Sequence, residues 1–382
     1  MKPCTGLIIL FILLPAILLA NEQVDKRPTF IPAIESEFNF EGTPKLFQPG
    51  PGSRACCAFG TDIKLRFFPL VHIDQVIGSE ELQNHKFGNK GSGKEAQGEI
   101  FTCHAGFLDS SHMRHAGDWT AYLAVVLEKY LATGRKVSLV YEGGKRWLTI
   151  HKFEGKISKR NIIKIAQRIS YDTTVWHEIL TWYVPAVIPI FSEKSSSFAP
   201  EDNFSNLLGT YIAANALMSG QPYKQAMVES FQKYFNILDG KNRATTKAAF
   251  WKVANKWWDS KKGLPNQWKT LKRHTNSYYR VTPWKIKNRD DLDQLGCGQE
   301  REVSLDVPQE ISDEQGNIVN ITSLYELDVL APKGIPVPEL LQKDGQMVSH
   351  RDYPRLVDIL AQKIEEHYLK RGLKNVLNPY AE

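Results

Sequence analysis

Six side chains able to bind a metal or move a proton fall within eighteen positions of this chain. The segment TCHAGFLDSSHMRHAGDW, residues 102–119, carries Cys103, His104, Asp109, His112, His115 and Asp118. Imidazole, thiolate and carboxylate groups are the ligands of zinc and the common general acids and bases. A second segment, TVWHEILTWY, places His177 beside Glu178. It lacks the second histidine of H-E-x-x-H, so the metalloprotease motif fails. Ligands can still converge from two packed helices. His112, His177 and one of Asp118, Glu178 or Asp202 are then the candidate set, and three protein ligands leave zinc one open position. The plain alternative is that these histidines are satisfied by hydrogen bonds beneath Trp119, Trp176 and Trp182.

Cys103 offers a different chemistry. It closes a predicted strand shortly before a helix N-terminus, whose dipole lowers a thiol pKa. His177 would be its base, oriented by Asp172 or Glu178. A disulfide is the competing reading, and the stronger one outside the cytoplasm. Three further sites are weak. GNKGSGKE, residues 88–95, nearly fits a phosphate loop, but Glu95 replaces the magnesium-binding hydroxyl and no apolar strand leads in. No G-x-S-x-G elbow is present. Ser195, Ser196 and Ser197 read as a solvated loop.

The elements that must position these residues follow from periodicity. Residues 99–108 read as a strand. Asp109, Ser110 and Ser111 are N-cap residues for a helix that runs to about Thr133, with Trp119, Leu123, Val126, Leu127 and Tyr130 on its apolar stripe. That stripe, extended back, puts His112 at the buried edge. Residues 158–184 predict a long helix capped by Ser158. His177 adjoins its stripe and Glu178 lies a further 100° round. Between the two helices, KVSLVYEG and RWLTIHKFEG predict a hairpin turning at Gly143-Gly144. Helices are expected near 201–219, 222–238, 244–259 and 353–371, and strands within 302–330. The fold class is α+β, one helix-rich body with antiparallel strands over residues 56–382. Residues 21–55 read as an irregular arm.

The N-terminus bounds the compartment. Lys2 precedes a 15-residue apolar run, residues 6–20, ending at Ala20 before polar sequence. This is the layout of a signal peptide over residues 1–20, too short for the ~20 residues that span a bilayer. The mature protein is expected to be periplasmic or secreted, with no transmembrane domain after signal removal. It keeps Cys56, Cys57, Cys103 and Cys297, an even set that suggests disulfides. Adjacent Cys56 and Cys57 are unsuited to each other, so each would reach for Cys103 or Cys297. The net charge of +6 suits an anionic envelope polymer or lipid surface. No basic block dense enough for nucleic acid stands out. The segment 250–274 does interleave four tryptophans with seven Lys or Arg. Spacing assigns Trp251 and Trp258 to a core, and leaves the residues from Lys261 on as a surface.

Taken together, RACCAFG (54–60), TCHAGFLDSSHMRHAGDWTAYL (102–123), SYDTTVWHEILTWY (170–183) and FAPEDNFSNLLG (198–209) resemble an uncharacterised bacterial family of exported proteins, the domain of unknown function 4056 family. The resemblance covers roughly residues 50 to 330 and implies a bacterial envelope setting without an activity. It also implies that His104 and His115 stand where other residues, often Arg and Asp, are usual. That leaves His112, Arg114, Asp118, His177 and Glu178 as the expected catalytic residues.

The resulting expectation is an exported hydrolase acting on an envelope or extracellular polymer or a lipid. His112, His177 and Glu178 would hold zinc, Asp118 would ligate or move a proton, and Arg114 would steady an anionic group. The alternatives are a non-catalytic envelope-binding or assembly protein, and a Cys103–His177 thiol hydrolase.

Overall fold

The computed structural model describes residues 33–40, 45–50, 59–65, 68–88, 95–183, 193–264 and 266–377. Residues 1–20, Cys56, Cys57 and residues 89–94 of the glycine-rich loop lie outside them. Eight α-helices are present among the described residues: α1 (Ser110–Tyr130), α2 (Lys159–Tyr183), α3 (Asp202–Met218), α4 (Tyr223–Ile237), α5 (Arg243–Lys252), α6 (Arg289–Gln294), α7 (Val337–Leu341) and α8 (Tyr353–Leu369).

Helix α1 organises the rest. Asp109 caps it, its carboxylate accepting from the Ser111 amide at 2.6 Å. From Ala116 to Leu127 every side chain is buried, as in a central helix surrounded by partners. Helix α3 runs beside α1 in the same direction. The Asp109 amide donates to Ser205 Oγ, Met113 packs on Gly209, and Gly117 meets Ala213. A Cβ at Gly209 would stand 2.2 Å from the Met113 carbonyl oxygen, so only glycine permits this approach. Helix α2 runs the opposite way across both: Ser170 Oγ donates to the Ala116 carbonyl and Gln167 to Thr210 Oγ1. The C-terminal end of α2 therefore meets the N-termini of α1 and α3.

A four-stranded antiparallel sheet packs outside α2, in the order Met347–Ser349, Tyr325–Leu330, Lys145–Ile150, Arg135–Leu139. Tyr325–Leu330 alternates buried and half-buried side chains, the pattern of a sheet with one covered face. Helix α8 closes this side, with Tyr353 stacked on Trp176 at 5.9 Å. Trp119 and Trp176 are fully buried, and each such aromatic stabilises the core by about 2–3 kcal/mol. A second core gathers Phe59, Phe107, Phe250, Trp257, Trp258 and Trp284, and the Cys103–Cys297 disulfide adjoins it.

The fold class is the one expected, α+β with antiparallel strands. Local differences have physical reasons. Residues 99–108 form a hairpin, Glu99–Thr102 against Gly106–Asp109, rather than one strand. Gly106 makes the turn at φ +65, where a Cβ would strike the Trp284 carbonyl. The helix expected over 244–259 stops at Lys252. The Trp258 indole takes the Phe250 carbonyl at 3.0 Å, and Asn255 turns to φ +61. Trp258 is accordingly core, whereas Trp251 is about half exposed. Ser195 and Ser197 are buried, not solvated, because Arg273 donates to both their carbonyls. The arm contains a short pair, Ala33–Glu35 with Lys45–Phe47. Gln48 anchors it to the sheet edge through Ser138 and Val140.

Candidate metal centre

His112 is the third residue of α1, Asp202 the first of α3, and Glu178 lies in the last two turns of α2. The helix arrangement brings all three together. One ligand atom of each lies within 4.8 Å of the other two, and all three residues are buried. His112 Nδ1 is 3.2 Å from Asp202 Oδ1. The second oxygen of Asp202 accepts from the Ala199 amide at 2.6 Å. Glu178 Oε2 accepts from the Phe198 amide at 2.8 Å, while its Oε1 has no hydrogen-bond partner among the described residues. A buried carboxylate oxygen left this way is costly unless a cation or proton answers it.

The loop supplying those amides is held in an uncommon conformation. Phe198 adopts φ +50. Its amide is fixed by Glu178, its carbonyl by the His274 amide at 2.8 Å, and Ser197 Oγ donates to the Glu178 carbonyl. A non-glycine residue here costs of order 1 kcal/mol and persists where surroundings over-determine it.

Negative charge is concentrated at the site. Burial, with the charges of Glu178 and Glu201, pushes the Asp202 carboxyl well above the usual carboxylate range. Burial, then Asp109 and Glu178, push Glu201 up to about 8. Glu201 also shares a hydrogen bond with Glu99. The N-termini of α1 and α3 soften this repulsion by their dipoles. The group of one imidazole and two carboxylates can coordinate a divalent metal.

His177 faces elsewhere. Its Nδ1 lies 2.8 Å from Glu142 Oε1 in the hairpin loop, and Glu142 also pairs with Arg146. Burial alone would raise the Glu142 carboxyl, but Arg146 and His177 outweigh it and hold it at about 2. His115 adds positive charge to this second cluster. Arg114 and Asp118 project from the opposite side of α1 to His112, about 200° and 240° round the helix. Asp118 meets His85 Nε2 at 3.0 Å and the Gly88 amide at 2.8 Å. Arg114 meets His85 Nδ1 at 3.2 Å and lies over the Phe231 ring. As a guanidinium only donates, His85 Nδ1 accepts and its Nε2–H donates to Asp118. Glu95, the odd residue of the loop resembling a phosphate site, is buried 3.7 Å from Arg114. His104 is buried, and desolvation with Arg301 pushes it below the usual histidine value. Asp172 pairs with Arg168 and accepts from the Tyr325 hydroxyl. Cys103 is bonded to Cys297, which leaves no thiol for a nucleophile.

Glu201 and His85 were not among the sequence candidates. Glu201 has a faint signal, an acidic residue directly before Asp202 at a helix start. His85 has none, since its partners are 29 and 33 residues away.

No curated protein and no solved structure matches the chain. One family model does, that of a protein of unknown function, DUF4056, over residues 44–287. That span is more than half of the chain and contains His112, Glu178 and Asp202, and the chain belongs to the DUF4056 family.

Proposed function

We propose that the protein is an exported hydrolase that uses a divalent metal, zinc by preference, held by His112, Glu178 and Asp202. The observation that carries this reading is the convergence of three buried residues whose ligand atoms lie within 4.8 Å of one another, where Glu178 also has a carboxylate oxygen with no hydrogen-bond partner among the described residues. A nitrogen–oxygen donor set with three protein ligands suits zinc and leaves a position open. A metal there supplies Lewis-acid polarisation of a substrate oxygen and makes water a nucleophile at neutral pH.

The chain's own residues supply the rest. The Phe198 and Ala199 amides orient Glu178 and Asp202, and orienting contacts of this kind fix ligand geometry. Glu201, poised at about 8, is suited to hold or deliver a proton near neutral pH. His177, Arg114 and Asp118 act through packing: His177 ties α2 to the hairpin, and Arg114 and Asp118 tie α1 to His85, Gly88 and Glu95.

The envelope polymer or lipid substrate and the periplasmic or secreted location rest on the leader-like residues 1–20 and on the basic charge. No helix among the described residues is long and apolar enough to cross a membrane. The test is metal analysis of protein purified without chelator. One equivalent per chain, lost in His112→Ala, is expected. Wild-type protein that is metal-free, and whose melting does not respond to added zinc or manganese, would refute the reading.

A further inference from the structure

The stretch from Lys261 on reads from its spacing as a surface, but part of it turns inward. Arg273 is fully buried, and Thr270 and His274 beside it are buried too. A guanidinium offers five N–H donors in one plane. All five are used here. Nε and Nη2 donate to the Tyr368 hydroxyl of α8 at 3.1 and 2.8 Å. Nη2 also donates to the Thr270 carbonyl at 3.4 Å. Nη1 donates to the carbonyls of Ser195 at 3.1 Å and Ser197 at 2.6 Å. Every one of these acceptors is uncharged. Burying a cation among neutral groups costs stability, so its placement calls for a reason.

The reason lies across one peptide bond. The Ser197 carbonyl and the Phe198 amide belong to the same peptide unit. Arg273 holds its oxygen, and its N–H donates to Glu178 Oε2 at 2.8 Å. The next unit repeats the pattern. The His274 amide donates to the Phe198 carbonyl at 2.8 Å, and the Ala199 amide donates to Asp202 Oδ2 at 2.6 Å. Two successive carbonyls thus face Arg273 and His274, and two successive amides face the carboxylates. The left-handed turn of Phe198, at φ +50, brings the two N–H groups to one side, the arrangement of a backbone nest for anions. A peptide whose oxygen is bound by a cation is polarised, and its N–H becomes a stronger donor.

We propose that Arg273 is a positioning residue for the three-helix centre, orienting Glu178 through the Ser197–Phe198 peptide. It makes its hydrogen bonds to the loop, to Thr270 and to Tyr368, so it acts on Glu178 through that peptide and not by touching it. Arginine suits the task because its planar fork reaches the Ser195 and Ser197 carbonyls from one nitrogen while Tyr368 fixes the other side. Tyr368 in turn donates to the Thr270 carbonyl at 2.7 Å, which ties the end of α8 to the same strap. The consequence for metal affinity rests on the reading of His112, Glu178 and Asp202 as ligands. The hold on the Glu178 carboxylate does not depend on it.

The experiment uses the intact protein with isotope-labelled phenylalanine, the Phe198 amide signal being assigned by its loss in Phe198→Tyr. Arg273→Met keeps the length of the side chain and removes the donors and the charge. Tyr368→Phe is milder and removes only the hydroxyl that fixes Nε and Nη2. The control, Arg168→Met, removes a buried guanidinium that reaches Asp172 and Gln309 but not the loop. In EDTA the Phe198 amide proton is expected downfield in wild type, as for an N–H bound to a carboxylate. It should move upfield in Arg273→Met, by less in Tyr368→Phe, and not in Arg168→Met. Zinc affinity, read by competition with a chelating dye, should fall about tenfold or more in Arg273→Met and stay within about threefold in Arg168→Met. The visible bands of cobalt-loaded protein should change in the first and not in the second. A merely structural clamp would lower the urea midpoint of both variants and leave the amide signal and the cobalt bands in place. That result overturns the proposal, as does unchanged zinc affinity of Arg273→Met beside a wild type that binds the metal. Where Arg273→Met does not fold, Tyr368→Phe carries the same readings. A wild type that binds no metal refutes the metal reading by itself, and the amide signal then decides whether Arg273 positions Glu178.

Discussion

Replacing Glu178 with glutamine separates a metal centre from a structural hydrogen-bond network by the sign of its effect. Glutamine keeps the shape and the oxygen that accepts from the Phe198 amide. It removes one negative charge within 4.8 Å of Asp202. Two unit charges at that distance repel by about 3 kcal/mol at an effective dielectric constant near 20. Protonation of Asp202 relieves this at lower pH, because burial and Glu178 already hold its carboxyl high. In EDTA, at a pH high enough to ionise Asp202, Glu178→Gln should therefore be more stable than wild type, by up to about 3 kcal/mol, read as a higher urea midpoint at unchanged m-value. Added zinc or manganese reverses the order. A ligand at a hundred times its Kd stabilises wild type by about 2.7 kcal/mol, while the variant, short of one ligand, should gain little. Most buried polar substitutions destabilise under every condition. A variant less stable than wild type in EDTA, or one that gains as much from metal, would refute the argument that Glu178 is an unanswered charge awaiting a cation.

Three other outcomes are expected. In EDTA, stability should fall as pH rises from 5 to 8, since Glu201 binds its proton more tightly folded than unfolded; Glu201→Gln should flatten that slope in urea titrations. Glu142 works in the opposite direction, because its folded value of about 2 lies below the ordinary one near 4.5. It contributes about 3 kcal/mol above pH 4.5, lost as pH falls towards 2, and Glu142→Gln should cost at least that at pH 7 by leaving Arg146 buried without its partner. Gly209→Ala should push α3 from α1 at the Met113 carbonyl, cost about 1–3 kcal/mol by thermal melting, and weaken metal affinity measured by competition with a chelating dye, because His112 and Asp202 ride on those two helices.

The helices were legible because their signals are local. Asp109 caps α1 and Ser158 precedes α2, where its hydroxyl accepts from the Asn161 amide. The hairpin around Gly143-Gly144 forms as its alternation indicates. The Cys103–Cys297 pairing departs from the expectation that Cys56 and Cys57 would each reach one of these two, since spacing alone does not choose a partner 194 residues away. The end of α5 was not legible. Periodicity continues through Trp257 and Trp258, but the Trp258 indole competes for the Phe250 carbonyl that a further turn would have used. Tertiary contact of this kind leaves no trace in spacing.

The adjacent pair His177 and Glu178 shows the deeper limit. A single apolar stripe on α2 ranks His177 as the more buried and Glu178 as displaced by a further 100°. In the structure Glu178 is buried against α1 and α3, while His177 is about a quarter exposed beside the Glu142 loop. The stripe misleads because α2 has no free side over this stretch. Residues 165–176 are all buried, by α1 and α3 on one side and by α8 and the sheet region on the other. On such a helix the hydrophobic pattern no longer reports which partner a polar residue faces. What decides it is the crossing of α1 and α3 at Gly209, which fixes where their N-termini end and hence which residue of α2 they meet. The separation of Glu178 from His177 is therefore set by a glycine contact between two other helices, and Gly209→Ala should disturb the Glu178 cluster while leaving the His177–Glu142 pair intact.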